Sequence, residues 1–471
     1  MTNNNHLLWR AGFGPACEQL TVLRKASHLQ VYDALEKASR KEPIPIEVAE
    51  NFMKGLSIGI GEAGKMQMRD LSDEQKKNLR KQSREGIRSL NLRWLGEMVN
   101  SNAQLREKMA FFWHGHFACR NLNVFYQQQL LQIIRKHALG NFGELLKEVS
   151  KSSAMINFLN NNQNRKGHPN ENFARELLEL FTLGRGEYSE IDVRESARAF
   201  TGWGANLHGE FVFRPFQHDN GSKFFLGKEG NFTGDDIIDI VLQKKQTAFF
   251  ITRKLYRFFV NEEDDIEKIG WLAGRFYQSG YSISSLLRDM FTSNWFYEEA
   301  NMGNRIKSPI ELLVGLQRQL PFTVSNEQTL LLAQRLMGQV LFFPPNVAGW
   351  PGGRSWIDTS SLLLRLRLPE LIIAGKGLNM RPKTDDDQQM GRTIASSVTP
   401  GFSNVKWDKF QSAFSDTTRP DLAKDISTFI LQTNSSIDTV MLLKYSDQST
   451  RASYIKSVTM ILFSCPEYQL H

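Results

Sequence analysis

Cysteine is scarce: Cys17, Cys119 and Cys465 are the only three in 471 residues, and they lie far apart. That excludes a disulfide framework and a paired-cysteine metal knuckle, and it makes a reduced, cytosolic-type compartment the default. Long apolar runs are missing too. No stretch approaches the roughly 18 residues of a membrane helix, so no membrane span is expected. The N-terminus, Met1-Thr2-Asn3-Asn4-Asn5-His6, has no basic region followed by an apolar one. This predicts no signal peptide and a cytoplasmic location. Basic residues exceed acidic ones by only 58 to 50, too mild an excess to imply nucleic acid. There is no Walker-type glycine loop, no GxGxxG after a strand, no GxSxG and no HExxH. Strand-like alternation is scarce.

What the sequence does contain is helical periodicity, with a 41% hydrophobic share that is ample for a large core. Ile87, Leu90, Trp94, Leu95 and Met98 form one stripe, continued backwards through a basic run to Ser72. Further helices are predicted at 102–118, 129–139, 142–150, 171–183, 190–200, 234–244, 246–259, 264–279, 282–292, 307–319, 327–337 and 359–374. The expected fold is mainly α, a multi-helix orthogonal bundle with a small β-hairpin insertion near 210–227. The insertion is read from Asn220-Gly221, which stands between aromatic-rich runs and predicts a two-residue turn pairing Asp219 with Ser222 and His218 with Lys223. Residues 1–375 read as the main domain, 376–404 as a linker-like segment, and 405–471 as a C-terminal helical piece that packs back. Residues 42–65, with two prolines and several glycines, read as a loop.

Polar residues in unusual settings mark the candidate sites. The helix at 102–118 is apolar all round, and within Met109–Ala118 only His114 and His116 are polar. Two residues apart on a regular helix, they point about 200° from each other and cannot share an ion unless the helix breaks at Gly115. In Glu171–Gly184, Asn172, Arg175, Glu176, Glu179 and Thr182 form a polar stripe ending at a glycine stop. On a solvated face this is only an Arg175–Glu179 ion pair; lining a cavity, it offers Glu176 and Glu179 as paired carboxylates. Asp192, Glu195 and Arg198 share the next helix face, before Thr201-Gly202-Trp203. His218 and Asp219 stand at the turn. The loop Pro344–Trp356 carries Trp350 and Trp356, and is a plug over the core or the wall of a ligand site.

Taken in order, these segments resemble one bacterial family, the domain-of-unknown-function 1800 proteins. The resemblance rests on His6-Leu7-Leu8-Trp9-Arg10-Ala11-Gly12-Phe13-Gly14, Phe112-Trp113-His114-Gly115-His116-Phe117 and the Glu171–Gly184 run. It continues through Asp192 to Trp203, His218-Asp219 with Lys223 and Gly227, the Pro344–Trp356 loop, and Ser464-Cys465-Pro466-Glu467-Tyr468. It implies a largely helical fold and no established activity. It also implies a genetic neighbour similar to alkaline phosphatases and sulfatases, and export in many relatives.

Two functions follow as expectations. The first is a metal-dependent enzyme with a His/carboxylate site between helices. His114, His116 and His218 would hold zinc, iron or manganese, and Glu176, Glu179, Asp192 and Arg175 would serve hydrolytic or oxidative chemistry. At least one of His114 and His116 is then expected against Glu176 or Glu179. The second is a non-catalytic helical partner for the phosphatase/sulfatase-like protein, in which Arg10, Arg175, Arg198 and the carboxylates form one buried ionic network. A weaker third is a polysaccharide binder using Trp203, Trp350 and Trp356.

Overall fold

Helices form close to where the apolar stripes are strongest in the computed structural model, which describes residues 2–49, 72–206, 209–378, 401–433 and 439–471. Asp73–Asn100, Gln104–His116, Val124–His137, Phe142–Lys151, Glu190–Ala199, Gly234–Leu242 and Lys245–Phe259 follow in order. Ile266–Gln278, Ile283–Thr292, Pro309–Gln319, Gln328–Leu336 and Thr359–Ile373 complete the predicted set but for 171–183. Many begin where a short polar side chain accepts the first free backbone N–H groups, among them Asn123, Asn141, Ser189, Thr233, Ser308 and Asp358.

The histidine helix, Gln104–His116, is buried along almost its whole length, including the polar Gln104, Arg106, Glu107 and Lys108 of its first turns. It packs against His28–Ser39, Asp73–Asn100 and Val124–His137. Periodicity did not reveal the helix Thr2–Arg10, whose buried face includes Asn4, Asn5 and His6. Those side chains are met from outside the helix: Asn4 donates to the Leu23 and Ala26 carbonyls, Asn5 to that of Thr428 and His6 Nε2 to that of Phe296, while Asn5 Oδ1 and His6 Nδ1 stay without a partner.

A second apolar cluster joins Trp9, Cys17 and Leu20 to Pro309–Gln319, Gln328–Leu336 and Thr359–Ile373. The C-terminal helices Leu422–Ile430 and Arg451–Phe463 pack into the same cluster through Ile426, Phe429, Ile430, Val458 and Leu462. Phe322–Val324 pairs antiparallel with Phe402–Val405, tying the two stretches by backbone as well. Most of the linker-like stretch, 379–400, and residues 50–65 of the expected N-terminal loop lie outside the described residues.

The insertion near 210–227 holds strands, but the Asn220-Gly221 turn does not form. Trp203–Ala205 pairs with Phe211–Phe213, and Lys223–Phe225 pairs with Lys228–Gly230. The second hairpin turns at Leu226-Gly227, both left-handed with φ 47° and 84°, which is the two-residue turn that matches strand twist. His218 and Lys223 are therefore not cross-strand partners. The reason is tertiary: Asp219 N–H donates to Thr201 Oγ1 and Arg198 grips the Asp219 carboxylate, holding the chain in a bend. Among the described residues no helix is long and apolar enough to cross a membrane.

Candidate functional site

The helix runs through Gly115 to His116 without a break, with Phe117 N–H bonded to the Trp113 carbonyl. The two histidines accordingly face different surroundings. His114 Nε2 accepts the Phe342 N–H at 3.1 Å, so its proton sits on Nδ1. Its ring packs among Trp94, Phe342 and Trp350. His116 Nε2 donates to the Phe181 carbonyl at 3.2 Å, which makes it the opposite tautomer, and its Nδ1 is buried without a partner. Burial keeps both neutral, His114 down to about 3 and His116 well below the ordinary imidazole value. His218 is elsewhere again, its Nδ1 donating to the Thr201 carbonyl at 2.9 Å.

His116 does reach the Glu171–Gly184 segment, as its helix had to pack somewhere. It meets that segment's backbone, however, and neither His114 nor His116 is bonded to Glu176 or Glu179. Among the described residues no three His, Cys, Asp or Glu side chains gather so as to hold a metal ion. The donors proposed for zinc, iron or manganese thus do not fit a shared ion, and no step through a metal follows from this arrangement.

The segment itself changes helix type. Asn172–Glu176 is α-helical, and Leu177–Thr182 is a π-helix that stops at Gly184, left-handed with φ 92°. π-Turns are rare and often mark functional positions. The wider turn explains why the expected Arg175–Glu179 pair is not made. Arg175 binds Glu190 through two 2.8 Å bonds and also Glu171, while Glu179 takes Arg185 and the Tyr188 hydroxyl. Carbonyls at the end of the π-turn are met from outside the segment: Phe181 by His116 and Leu180 by Lys254 Nζ. Burial pulls the Lys254 ammonium down to about 8. Burial and the neighbouring Glu179 raise the Glu176 carboxyl, whereas the Tyr188 hydrogen bond and Arg185 lower that of Glu179. Asn172 is exposed at the start of the segment.

Asp192, Arg198, His218, Asp219 and Lys223 converge on a structural task. Asp192 takes the Ser189 N–H and hydroxyl and, from the second hairpin, the Leu226 N–H. Arg198 spans Glu195, Asp219 and the Ser222 carbonyl. Lys223 Nζ donates to the Asp219 and Gly221 carbonyls. Together they pin the loop 214–223, whose first turn, Pro215–Gln217, carries Phe216. Trp203 lies inside against Phe200 and Phe211, 3% exposed.

The Pro344–Trp356 loop is a plug. Gly349, left-handed, sits so close to the Gly115 carbonyl that an added Cβ would lie 2.5 Å from that oxygen. Trp350 covers His114, and Trp356 is buried. With Trp203 and Trp356 both inside, the polysaccharide reading loses two of its three tryptophans.

The ionic network differs from the expected one as well. Arg175 and Arg198 are partly exposed and paired locally, and only Arg10 is buried. Around Arg10 stands a group that the sequence reading missed. Lys108 Nζ bonds Glu311 Oε1 at 2.5 Å and the Trp9 carbonyl. Glu311 also closes the capping box of its own helix through the Ser308 N–H. Arg305, Lys307 and Arg365 lie beside them, all buried. The signal was available in Lys108 itself: a lysine one turn before Phe112, on a helix that periodicity places inside, must find an acid.

No curated protein and no solved structure matches the chain. The one correspondence runs through the motifs placed above, from the helix that carries Arg10 to the tail beside Lys307. The family described as protein of unknown function (DUF1800) matches residues 6–470, nearly the whole chain, and the chain belongs to it.

Proposed function

We propose that the protein is a non-catalytic helical binding module that docks on a partner protein through the aromatic loop 213–224. The observation that carries this reading is Phe216. It is 95% exposed in the short turn Pro215–Gln217, fastened on one side by the Arg214 N–H on the Gly202 carbonyl and on the other by His218 on the Thr201 carbonyl. A phenylalanine held in water by a rigid loop costs little further ordering on binding, and aromatic anchors of this kind supply most of an interface's energy. Phe213, Phe224 and Ile191, on the loop and on the helix that Leu226 N–H meets through Asp192, are exposed as well. The partner is the phosphatase/sulfatase-like protein that the family resemblance implies as a genetic neighbour.

The test is capture of that purified neighbour by the full chain and by Phe216→Asp. Capture at least tenfold weaker in the variant, with unchanged melting, is expected from the loss of about 2 kcal/mol at an anchor. Equal capture by both, or none by the unaltered chain, overturns it.

A second reading rests on Glu176 and Glu179. Two carboxyls pushed in opposite directions three residues apart, across an α-to-π switch, form the pattern of an acid and a base. In that reading Glu176 gives the proton, Glu179 takes one, and Arg175 orients an anionic substrate. Turnover lost in Glu176→Gln, with capture through Phe216 absent in the unaltered chain, decides for it.

A further inference from the structure

A cleft of about 220 Å³ opens where His28–Ser39, Gln104–His116 and Val124–His137 meet, walled on one side by the loop Lys41–Pro43. Its floor is made by two guanidinium groups, those of Arg106 and Arg135, which are 7% and 1% exposed. Both are fixed on the buried Glu107, Arg106 through Nε at 3.1 Å and Arg135 through Nη2 at 2.9 Å. Arg106 Nη1 also donates to the Lys41 carbonyl and Arg135 Nη1 to that of Ile44, which ties the wall to the floor. Ser39 Oγ takes the Arg106 N–H from the opposite side. The floor is therefore rigid and already built.

Every nitrogen of the Arg135 guanidinium is engaged by the chain. Arg106 uses only Nε and Nη1, and its Nη2 has no partner among the described residues. That nitrogen is not among the unpartnered atoms sealed in the interior, so it belongs to the part of Arg106 still open to the cleft. Two N–H donors on a side chain more than nine-tenths buried call for an acceptor, and the cleft is where one can sit.

The rim adds charge of the same sign. Arg40, Lys41 and Lys136 are exposed around the mouth. Arg40 spends one nitrogen on Glu36, and the two lysine ammoniums are in no ion pair among the described residues. The acids close by are already used. Both oxygens of Glu36 are taken, by Arg40 and Arg288, and both of Glu107, by Arg106, Arg135 and Trp94. Glu97 is held by Arg135. Glu42, exposed on the rim, is the one lining carboxylate without a partner among the described residues. Unused donors on Arg40, Lys41, Arg106 and Lys136 outweigh it. A cleft lined by one sign of charge concentrates ions of the other.

We propose that this cleft binds a small phosphate-bearing molecule, with the phosphate on Arg106 Nη2 beneath Lys41 and Lys136. Several unused cationic groups favour a phosphate over the single charge of a carboxylate, since each can meet a separate oxygen. The occupant is small, because the cleft falls short of the roughly 300–1,000 Å³ of pockets for drug-sized ligands. The cleft takes no part in the docking of the aromatic loop.

Two measurements on the full chain test this, with inorganic phosphate as the probe. Calorimetric titration in a chloride buffer of low ionic strength is expected to show saturable binding of phosphate and none of acetate. Lys136→Glu, a change at an exposed position, should weaken it by about tenfold or more. In parallel, lysine acetylation is followed site by site by mass spectrometry. Saturating phosphate should slow the labelling of Lys41 and Lys136 severalfold, and leave that of the exposed Lys228 and Lys424 unchanged. No saturable binding overturns the proposal. Binding that leaves Lys41 and Lys136 unprotected, or that survives undiminished in Lys136→Glu, overturns the assignment to this cleft. Acetate bound as well as phosphate overturns the choice of phosphate. The labelling of the unaltered chain decides whether or not the variant folds.

Discussion

His114 accepts the Phe342 N–H while His116 donates to the Phe181 carbonyl, so neighbouring members of one motif hold opposite tautomers. The His114 bond has a particular load. Phe342 is left-handed at φ 69°, a conformation that a bulky residue adopts only when its surroundings hold it. The burial that keeps His114 neutral has a consequence for pH. Its folded value is about 3 against an unfolded 6.5, so below 6.5 the unfolded chain takes a proton that the folded chain refuses. Stability is then complete above that point and falls as the pH drops towards 3. His114→Gln keeps an acceptor for Phe342 and removes the titration. Urea denaturation between about pH 7 and pH 5 should show the variant losing less stability on acidification, by up to roughly 1.4 kcal/mol per pH unit. An unchanged slope would refute a buried neutral His114.

At the scale of the element, local rules worked where packing agreed with them. Apolar stripes located the helices because a helix face that must be buried announces itself at a spacing of three and four. Asn220-Gly221 failed because its local preference for a turn competes with Thr201, Arg198 and Lys223, which hold the same residues in a bend. The hairpin forms at Leu226-Gly227 instead, where the bonds from Leu226 N–H to Asp192 and from Lys244 to the Leu226 carbonyl agree with the turn and Gly227 supplies the positive φ of 84°. The two glycines can be told apart by substitution. Gly227→Ala should lose about 1–2 kcal/mol, the cost of a left-handed side chain. Gly221 has no positive φ, and an added Cβ would meet only side-chain ends, Arg198 Nη2 at 2.8 Å and Asp219 Oδ1 at 3.0 Å, so Gly221→Ala should lose less. Equal losses in chemical denaturation would put the turn back at residues 220–221. The π-turn at Leu177–Thr182 lay beyond local reading altogether. Its stripe reads as an ordinary helix, and the wider turn shows only in Thr182 Oγ1 reaching the Leu177 carbonyl and in the carbonyls met by His116 and Lys254.

Across the whole molecule, the N-terminal helix, the histidine helix and the C-terminal tail meet at Glu311. Lys108 and Glu311 are buried together, and the pair's value depends on what surrounds it. Lys108 and Arg305 hold the Glu311 carboxyl down to about 2 against its burial. Removing the acid leaves the buried Lys108 without its counter-charge, while removing Lys108 leaves Glu311 still facing Arg305. Glu311→Gln should therefore cost about 3–5 kcal/mol, and Lys108→Met distinctly less. Urea midpoints of the two variants and their double give the coupling directly. A Lys108→Met loss equal to or larger than that of Glu311→Gln would show that Arg305 does not stand in for Lys108.

From the sequence alone came the mainly helical class, the approximate helix bounds, the stop at Gly184 and the family, because each depends on order and spacing along the chain. Periodicity says which face of a helix is buried and leaves open what lies across from it. That was decided by tertiary structure, over separations that no local pattern spans: 65 residues from His116 to Phe181, 203 from Lys108 to Glu311, 461 from Arg10 to His471. The polar motifs were legible as residues that need partners. Only packing determined that His114 and His116 find backbone, that Arg198 and Lys223 brace a loop, and that Lys108 meets Glu311, since a buried charge or imidazole is satisfied by whichever group the fold brings within about 3 Å.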